Sequence, residues 1–184
     1  PRRQKLCLYY IGHENETGKI TTEYDLRKAF IKTAAAETFF AWHYYKNKNG
    51  NGKDLDEQLN NGEIPPEFLR SMFYTFGDYR DIFFDTDISA KTDKSHVKGA
   101  IDCIGKVFSK TSGKSPSGKT PTEWWDEHGK EIWEGMLCAL TNGLTDDEKK
   151  KEIKNKYSYD QLKKTSNGTP FLEEFSSRPQ FLRW

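Results

Sequence analysis

Helical periodicity constrains this chain more than any other feature. From Thr22 to Tyr45, Leu26, Ala29, Phe30, Thr33, Ala34, Phe40, Ala41 and Tyr44 recur at the i, i+3, i+4, i+7 spacing of one helix face. The spacing predicts a long amphipathic helix, with Thr22 and Asp25 able to cap its first turn. The polar tract from Asn47 to Asn51, with Gly50 and Gly52, ends it, and a hydrophilic loop through Asn60, Asn61 and Gly62 follows. Pro65 and Pro66 open a second helix carrying Phe68, Leu69, Met72, Phe73 and Phe76. A bend is expected at Gly77, after which Tyr79, Ile82 and Phe83 continue the apolar face.

A third helix, from about Asp93, places Val97, Ala100, Ile101, Ile104 and Phe108 on one side with Cys103 beside them. A loop rich in Lys, Ser and Gly follows, from Lys110 to Gly118. Thr120, Pro121 and Glu123 then supply an N-cap hydroxyl, a proline at the first helical position and a glutamate at the third, the best-marked helix start in the chain. That fourth helix carries Trp124, Trp125, His128, Ile132, Trp133, Met136, Leu137 and Leu140 and stops at Asn142-Gly143. Thr145 with Asp146, Asp147 and Glu148 starts a short charged helix, its acids at the positive end of the dipole. Thr169-Pro170 and Ser177-Arg178-Pro179 read as further helix openings. No alternating strand pattern competes and no internal repeat appears, so the expected fold is all-α, a bundle of long amphipathic helices.

The 184 residues suit one domain. Only 34% are hydrophobic, so the core must lean on 12 Phe, 9 Tyr and 5 Trp, each able to bury roughly 150–250 Å². With 29 basic against 28 acidic residues, the net charge of +1 gives no bulk attraction for nucleic acid. No apolar run approaches the roughly 18 residues of a membrane span, and the opening Pro1-Arg2-Arg3-Gln4-Lys5 is no signal peptide. The abrupt ends, within apolar-periodic stretches, read as those of an excised fragment. Cys7, Cys103 and Cys138 are an odd set: one bridge and one orphan thiol in an exported protein, or three thiols in a cytosolic one.

Candidate chemistry is sparse. Gly113 to Thr120 satisfies G-x-x-x-x-G-K-[ST], the phosphate-binding loop pattern. The segment before it is helical in period rather than a strand, Pro121 removes a donor, and no strand ends in a magnesium-binding Asp. Coincidence is therefore the preferred reading. His13, His43, His96 and His128 lack the spacing of a zinc site, and no metal or cofactor is expected. Trp125, Ile132 and Met136 share one face and belong to the core, whereas Trp124 and Trp133 fit either the core or a sugar- or peptide-binding surface. Two basic stretches could hold a sulfated glycan: Arg2, Arg3 and Lys5, and Lys149, Lys150, Lys151, Lys154 and Lys156. The plainer reading of the second is a solvated face balanced by its own acids.

Five ordered blocks resemble one family. They are Pro1 to Leu8, Ala35-Ala36-Glu37, Phe73 to Ile82, Trp124-Trp125 with Ile132 to Leu140, and Thr169 to Phe175 with Arg178 to Trp184. Together they are similar to the Duffy-binding-like domains of the Plasmodium falciparum erythrocyte membrane protein 1 family. The resemblance implies an extracellular, disulfide-containing, all-helical and non-enzymatic adhesion module displayed on infected erythrocytes. It implies that residues 1–184 form the central subdomain, with a first subdomain before Pro1 and a third after Trp184, which leaves Cys7 without its partner. It also makes a Cys103–Cys138 bridge plausible between neighbouring helices. The aromatic opening through Tyr9-Tyr10 resembles the epsilon and zeta classes, some of which capture the Fc region of immunoglobulin M. Other members bind chondroitin sulfate, intercellular adhesion molecule or other endothelial receptors. The expected partners are thus a host protein or a sulfated glycan, and neighbouring domains of the same adhesin, with no nucleic acid and no membrane insertion.

Overall fold

A computed structural model describes residues 6–49, 52–88, 96–108, 113–163 and 171–183. The chain is all-α, with no strand among the described residues. Two short turns of helix, α1 (Tyr9–Gly12) and α2 (Glu14–Thr17), lead into the 27-residue α3 (Glu23–Asn49). Then come α4 (Gly52–Asn60), α5 (Pro66–Phe83), α6 (His96–Val107) and α7 (Pro121–Leu140). A 3-10 turn at Thr141–Gly143 ends α7, and α8 (Asp147–Lys156), α9 (Tyr159–Leu162), α10 (Leu172–Ser177) and α11 (Gln180–Arg183) complete the order.

The capping chemistry places the helix starts. Thr22 and Asp25 cap α3 reciprocally: the Asp25 N–H donates to the Thr22 hydroxyl at 3.2 Å, and the Thr22 N–H donates to Asp25 Oδ2 at 3.1 Å. Thr120 and Glu123 form the same box on α7, with Pro121 at its first position. At α8 the cap is Asp146 rather than Thr145, its carboxylate accepting from the Glu148 and Lys149 N–H groups. Instead of the expected loop at Asn60, α4 forms, burying Leu55 and Leu59 one helical turn apart. The expected start at Asp93 and the Thr169-Pro170 opening lie outside the described residues.

The frame is α3 packed along α7 with α5 across both. Arg27 of α3 forks onto Glu131 of α7, Nη2 to Oε1 at 2.7 Å. One turn further, Gly135 lies so close to Ile31 that a Cβ would sit 2.9 Å from Ile31 Cγ2. Both pairs ascend together, so α3 and α7 run parallel. α5 runs the other way, with Phe68 against Trp42 at its start and Phe83 against Phe30 at its end.

Rings fill the space between. Phe83 stacks on Trp124 at 4.8 Å, and Phe76 meets Trp125 and Trp133 at 5.6 and 5.8 Å. Trp124 and Trp133 are wholly buried, which assigns them to the core. Trp133 donates to the Tyr157 carbonyl at 2.8 Å. The Tyr79 hydroxyl ties the N-terminal segment to α3 by donating to the Cys7 and Thr33 carbonyls. Two glycines let α1 and α6 cross backbone to backbone: a Cβ on Gly12 would stand 2.1 Å from the His96 carbonyl oxygen, and one on Gly99 2.2 Å from that of Gly12.

Gly77 does not bend α5, which is continuous from Pro66 to Phe83. Its missing Cβ instead makes room for the Arg183 guanidinium, 3.1 Å from where that carbon would be. Arg183 is buried, faces Asp78 at 3.6 Å, and binds Asp81 together with the carbonyls of Ser176 and Arg178. This arginine joins α10 and α11 to the face of α5.

Candidate functional site

The lysines of α8 alternate with acids three residues away, and the helix brings each pair together. Lys149 meets Glu152 at 2.8 Å, Lys150 meets Asp147 at 2.9 Å and Lys151 meets Glu148 at 2.9 Å. Lys156 reaches Glu63 at 3.2 Å, and Lys154 lies 3.7 Å from the Cys138 sulfur. The stripe is largely a neutralised face. Arg2, Arg3 and Lys5 lie outside the described residues.

In the Gly113–Thr120 loop, the groups a phosphate would need are taken by carboxylates. The Ser117 N–H donates to Glu23, Lys119 is bound to Glu127 at 2.5 Å, and Thr120 is committed to the capping box with Glu123. The loop follows α6 rather than a strand. A nucleotide would have to displace three ion- or hydrogen-bonded carboxylates, so the phosphate-loop reading does not hold.

The expected Cys103–Cys138 bridge is not formed: Cys7, Cys103 and Cys138 are all free thiols. Cys103 is buried on the side of α6 that faces α2, 4.0 Å from the Thr17 carbonyl. Burial pushes its pKa up to about 11. Cys138 is exposed on α7, beside α8. The two thiols face different neighbours, which helical periodicity alone does not reveal.

Two features stand out on the described surface. On the distal half of α3, Phe39, Phe40, His43 and Tyr44 are exposed, Phe40 at 63% and Tyr44 at 65%. The sequence reading placed Phe40 and Tyr44 on the buried face. The stripe instead passes through Thr38 and Trp42, with Thr38 bonded to the Ala34 carbonyl at 2.8 Å so that its hydroxyl is satisfied in the seam.

The second feature is a cleft of about 390 Å³ between α5, α7, α9 and α10, lined by residues including Arg80, Trp125, Asp126, Tyr159 and Phe171. Around it Lys163 binds Glu173 at 2.8 Å and Arg178 binds Glu174 at 2.6 Å. The signal for this site in the sequence was the Tyr79-Arg80-Asp81 step on α5. It goes unread because its partners lie 45 or more residues away.

Fold and surfaces together define a helical binding module, in which a buried aromatic frame holds the exposed rings and the cleft in place. The family model of the Duffy binding domain matches residues 1–183, and the chain belongs to that family. Duffy binding domains are extracellular adhesion modules that bind host receptors or glycans, and are not enzymes. No curated protein and no solved structure matches the chain. Among the described residues, no helix is long and apolar enough to cross a membrane.

Proposed function

We propose that this domain is the central subdomain of an adhesin displayed on malaria-infected erythrocytes and that its ligand is a host protein, with the Fc region of immunoglobulin M as the leading candidate. The observation that carries this reading is the contrast between its two surfaces. The lysines available for a sulfated chain are mostly bound to carboxylates of the same domain, whereas the rings of Phe39, Phe40 and Tyr44 lie open to solvent. Aromatic side chains are enriched at the centres of protein interfaces, where their burial resists salt. Neutralising a polyanion by lysine, by contrast, weakens steeply as salt rises.

The test is surface binding to polymeric immunoglobulin M and to chondroitin sulfate, side by side, at low and moderate salt. Saturable and salt-tolerant binding to the antibody is expected. It should be weakened by Phe40→Ser combined with Tyr44→Ser, and unchanged by Lys150→Glu combined with Lys154→Glu. Salt-sensitive binding to the glycan that is lost in the lysine variant would replace the protein reading with the glycan one.

A further inference from the structure

The cleft lies at the opposite end of α5 from the ring-bearing part of α3, since Phe68 meets Trp42 at one end while Arg80 lines the cleft near the other. Its ions divide into paired and unpaired. Glu173 and Glu174 hold Lys163 and Arg178. No hydrogen bond among the described residues engages the Arg80 guanidinium, the Tyr159 hydroxyl or the Asp126 carboxylate. Arg80 is half-buried and lies over the Phe84 ring, its Cζ 4.7 Å from the centroid. Held against that ring, the guanidinium keeps N–H donors that no hydrogen bond among the described residues uses, open to a planar acceptor.

We propose that this cleft is a subsite for one acidic side chain of a protein ligand, its carboxylate taken by the Arg80 fork and the Tyr159 hydroxyl and its carbon chain lying against Trp125 and Phe171. The proposal rests on the reading of the ligand as a protein. An arginine guanidinium and a carboxylate form a bidentate, charge-assisted pair, among the stronger polar contacts available. Burial, with Glu173 and Asp126 nearby, pushes the Tyr159 hydroxyl up to about 12, so it remains a donor at neutral pH. The volume suits one or two side chains, near the lower end of ligand pockets.

The rim selects among anions. Asp126, Glu173 and Glu174 line the same cleft as Arg80, which has no ion pair among the described residues. A sulfated chain carries charge along its whole length and would press further anions against those carboxylates. A lone Asp or Glu flanked by Lys or Arg would avoid this, with the flanking base turned to Asp126. The site therefore favours a mixed-charge peptide segment over a polyanion.

The experiment follows the indole N–H resonances of the ¹⁵N-labelled protein during titration with capped Glu-Phe-Lys, Gln-Phe-Lys and Glu-Phe-Glu tripeptides and with a chondroitin sulfate hexasaccharide. Glu-Phe-Lys should shift the Trp125 indole saturably; the Gln peptide should bind about tenfold or more weakly, as loss of a charged hydrogen-bonded pair implies, and Glu-Phe-Glu should also bind more weakly, because its second acid meets Asp126 where a base would sit. Arg80→Gln should weaken the response about tenfold. Tyr159→Phe, which removes one oxygen and keeps the ring, should weaken it several-fold with the other indole signals unmoved. Equal binding of the Glu and Gln peptides, an unchanged response in Tyr159→Phe, or a stronger Trp125 shift with the hexasaccharide would each overturn the proposal. If the peptide binds while immobilised immunoglobulin M does not, the cleft stands and the ligand assignment falls. If the antibody binds while Glu-Phe-Lys leaves Trp125 unmoved, the cleft falls and the ligand assignment stands.

Discussion

Replacing Arg183 by Met should cost more than almost any other substitution outside the aromatic core. Its guanidinium is fully buried and faces Asp78 and Asp81, which are themselves nearly inaccessible and one helical turn apart on α5. Removing the cation leaves two carboxylates of like sign in the interior, and removing one partner of a buried pair costs about 3–5 kcal/mol. The carbonyls of Ser176 and Arg178 also lose their donor, which pushes the loss toward the upper end. Against a whole-domain stability of about 5–15 kcal/mol, this is a third or more of the total. The assay is urea unfolding followed by tryptophan fluorescence, reading the midpoint at unchanged slope. Adding Asp81→Asn to Arg183→Met should recover part of the loss, with a coupling of about 1 kcal/mol or more. A loss below about 1 kcal/mol, or strictly additive variants, would show that the pair is not the tie between α5 and the C-terminal helices.

Gly99→Ala should destabilise by about 1–3 kcal/mol or more, because its Cβ meets the Gly12 carbonyl, a backbone atom that cannot swing aside; thermal melts of the variant check this. Alkylation by iodoacetamide near pH 8 should modify the exposed Cys138 first and reach the buried Cys103, its thiol pushed up to about 11, only on unfolding. Intact-mass measurement before reduction should find no Cys103–Cys138 disulfide; a loss of two mass units assigned to that pair would contradict the structure. The Thr120 N–H and hydroxyl hold the Glu123 carboxyl below its ordinary 4.5. The folded-state pKa is depressed, so its contribution is present above 4.5 and fades as pH falls through the lower folded value. Glu123→Gln should therefore flatten the acid limb of stability against pH, and an unchanged limb would remove Glu123 from that role.

The parts of the fold legible in the sequence were those governed by local chemistry. The reciprocal caps at Thr22 and Thr120 need only residues three apart, and the apolar faces of α5, α6 and α7 need only a period. The rest required knowing what lies opposite. Gly77 looked like a bend because a helix-interior glycine costs stability, yet its use is to admit the arginine of a segment about 100 residues later. The α4 helix hides in a polar tract because its buried face is only Leu55 and Leu59, one turn apart. Helical period does not say which side each thiol faces: Cys103 meets Thr17 of α2, while Cys138 lies beside Lys154 of α8. The i, i+3 spacing of Asp147, Glu148 and Glu152 against Lys150, Lys151 and Lys149 already marks α8 as a self-balanced face.

The exposed rings of α3 lie beyond the end of α7. Arg27 stands opposite Glu131 and Ile31 opposite Gly135. Carried up the helices, the same offset sets Leu140, the last residue of α7, level with Ala36. α3 continues from there to Asn49, a projection of about 20 Å at 1.5 Å per residue. On one side of it Trp42 and Tyr45 are covered by Phe68 of α5. Phe39, Phe40, His43 and Tyr44 occupy the side of this projection turned away from the line of Arg27 and Ile31, and all four are exposed. Their exposure is thus set by the face of α3 they occupy. It follows that Phe40→Ser and Tyr44→Ser should leave stability within about 0.5 kcal/mol of the parent, so that any loss of ligand binding in these variants reports on the surface itself.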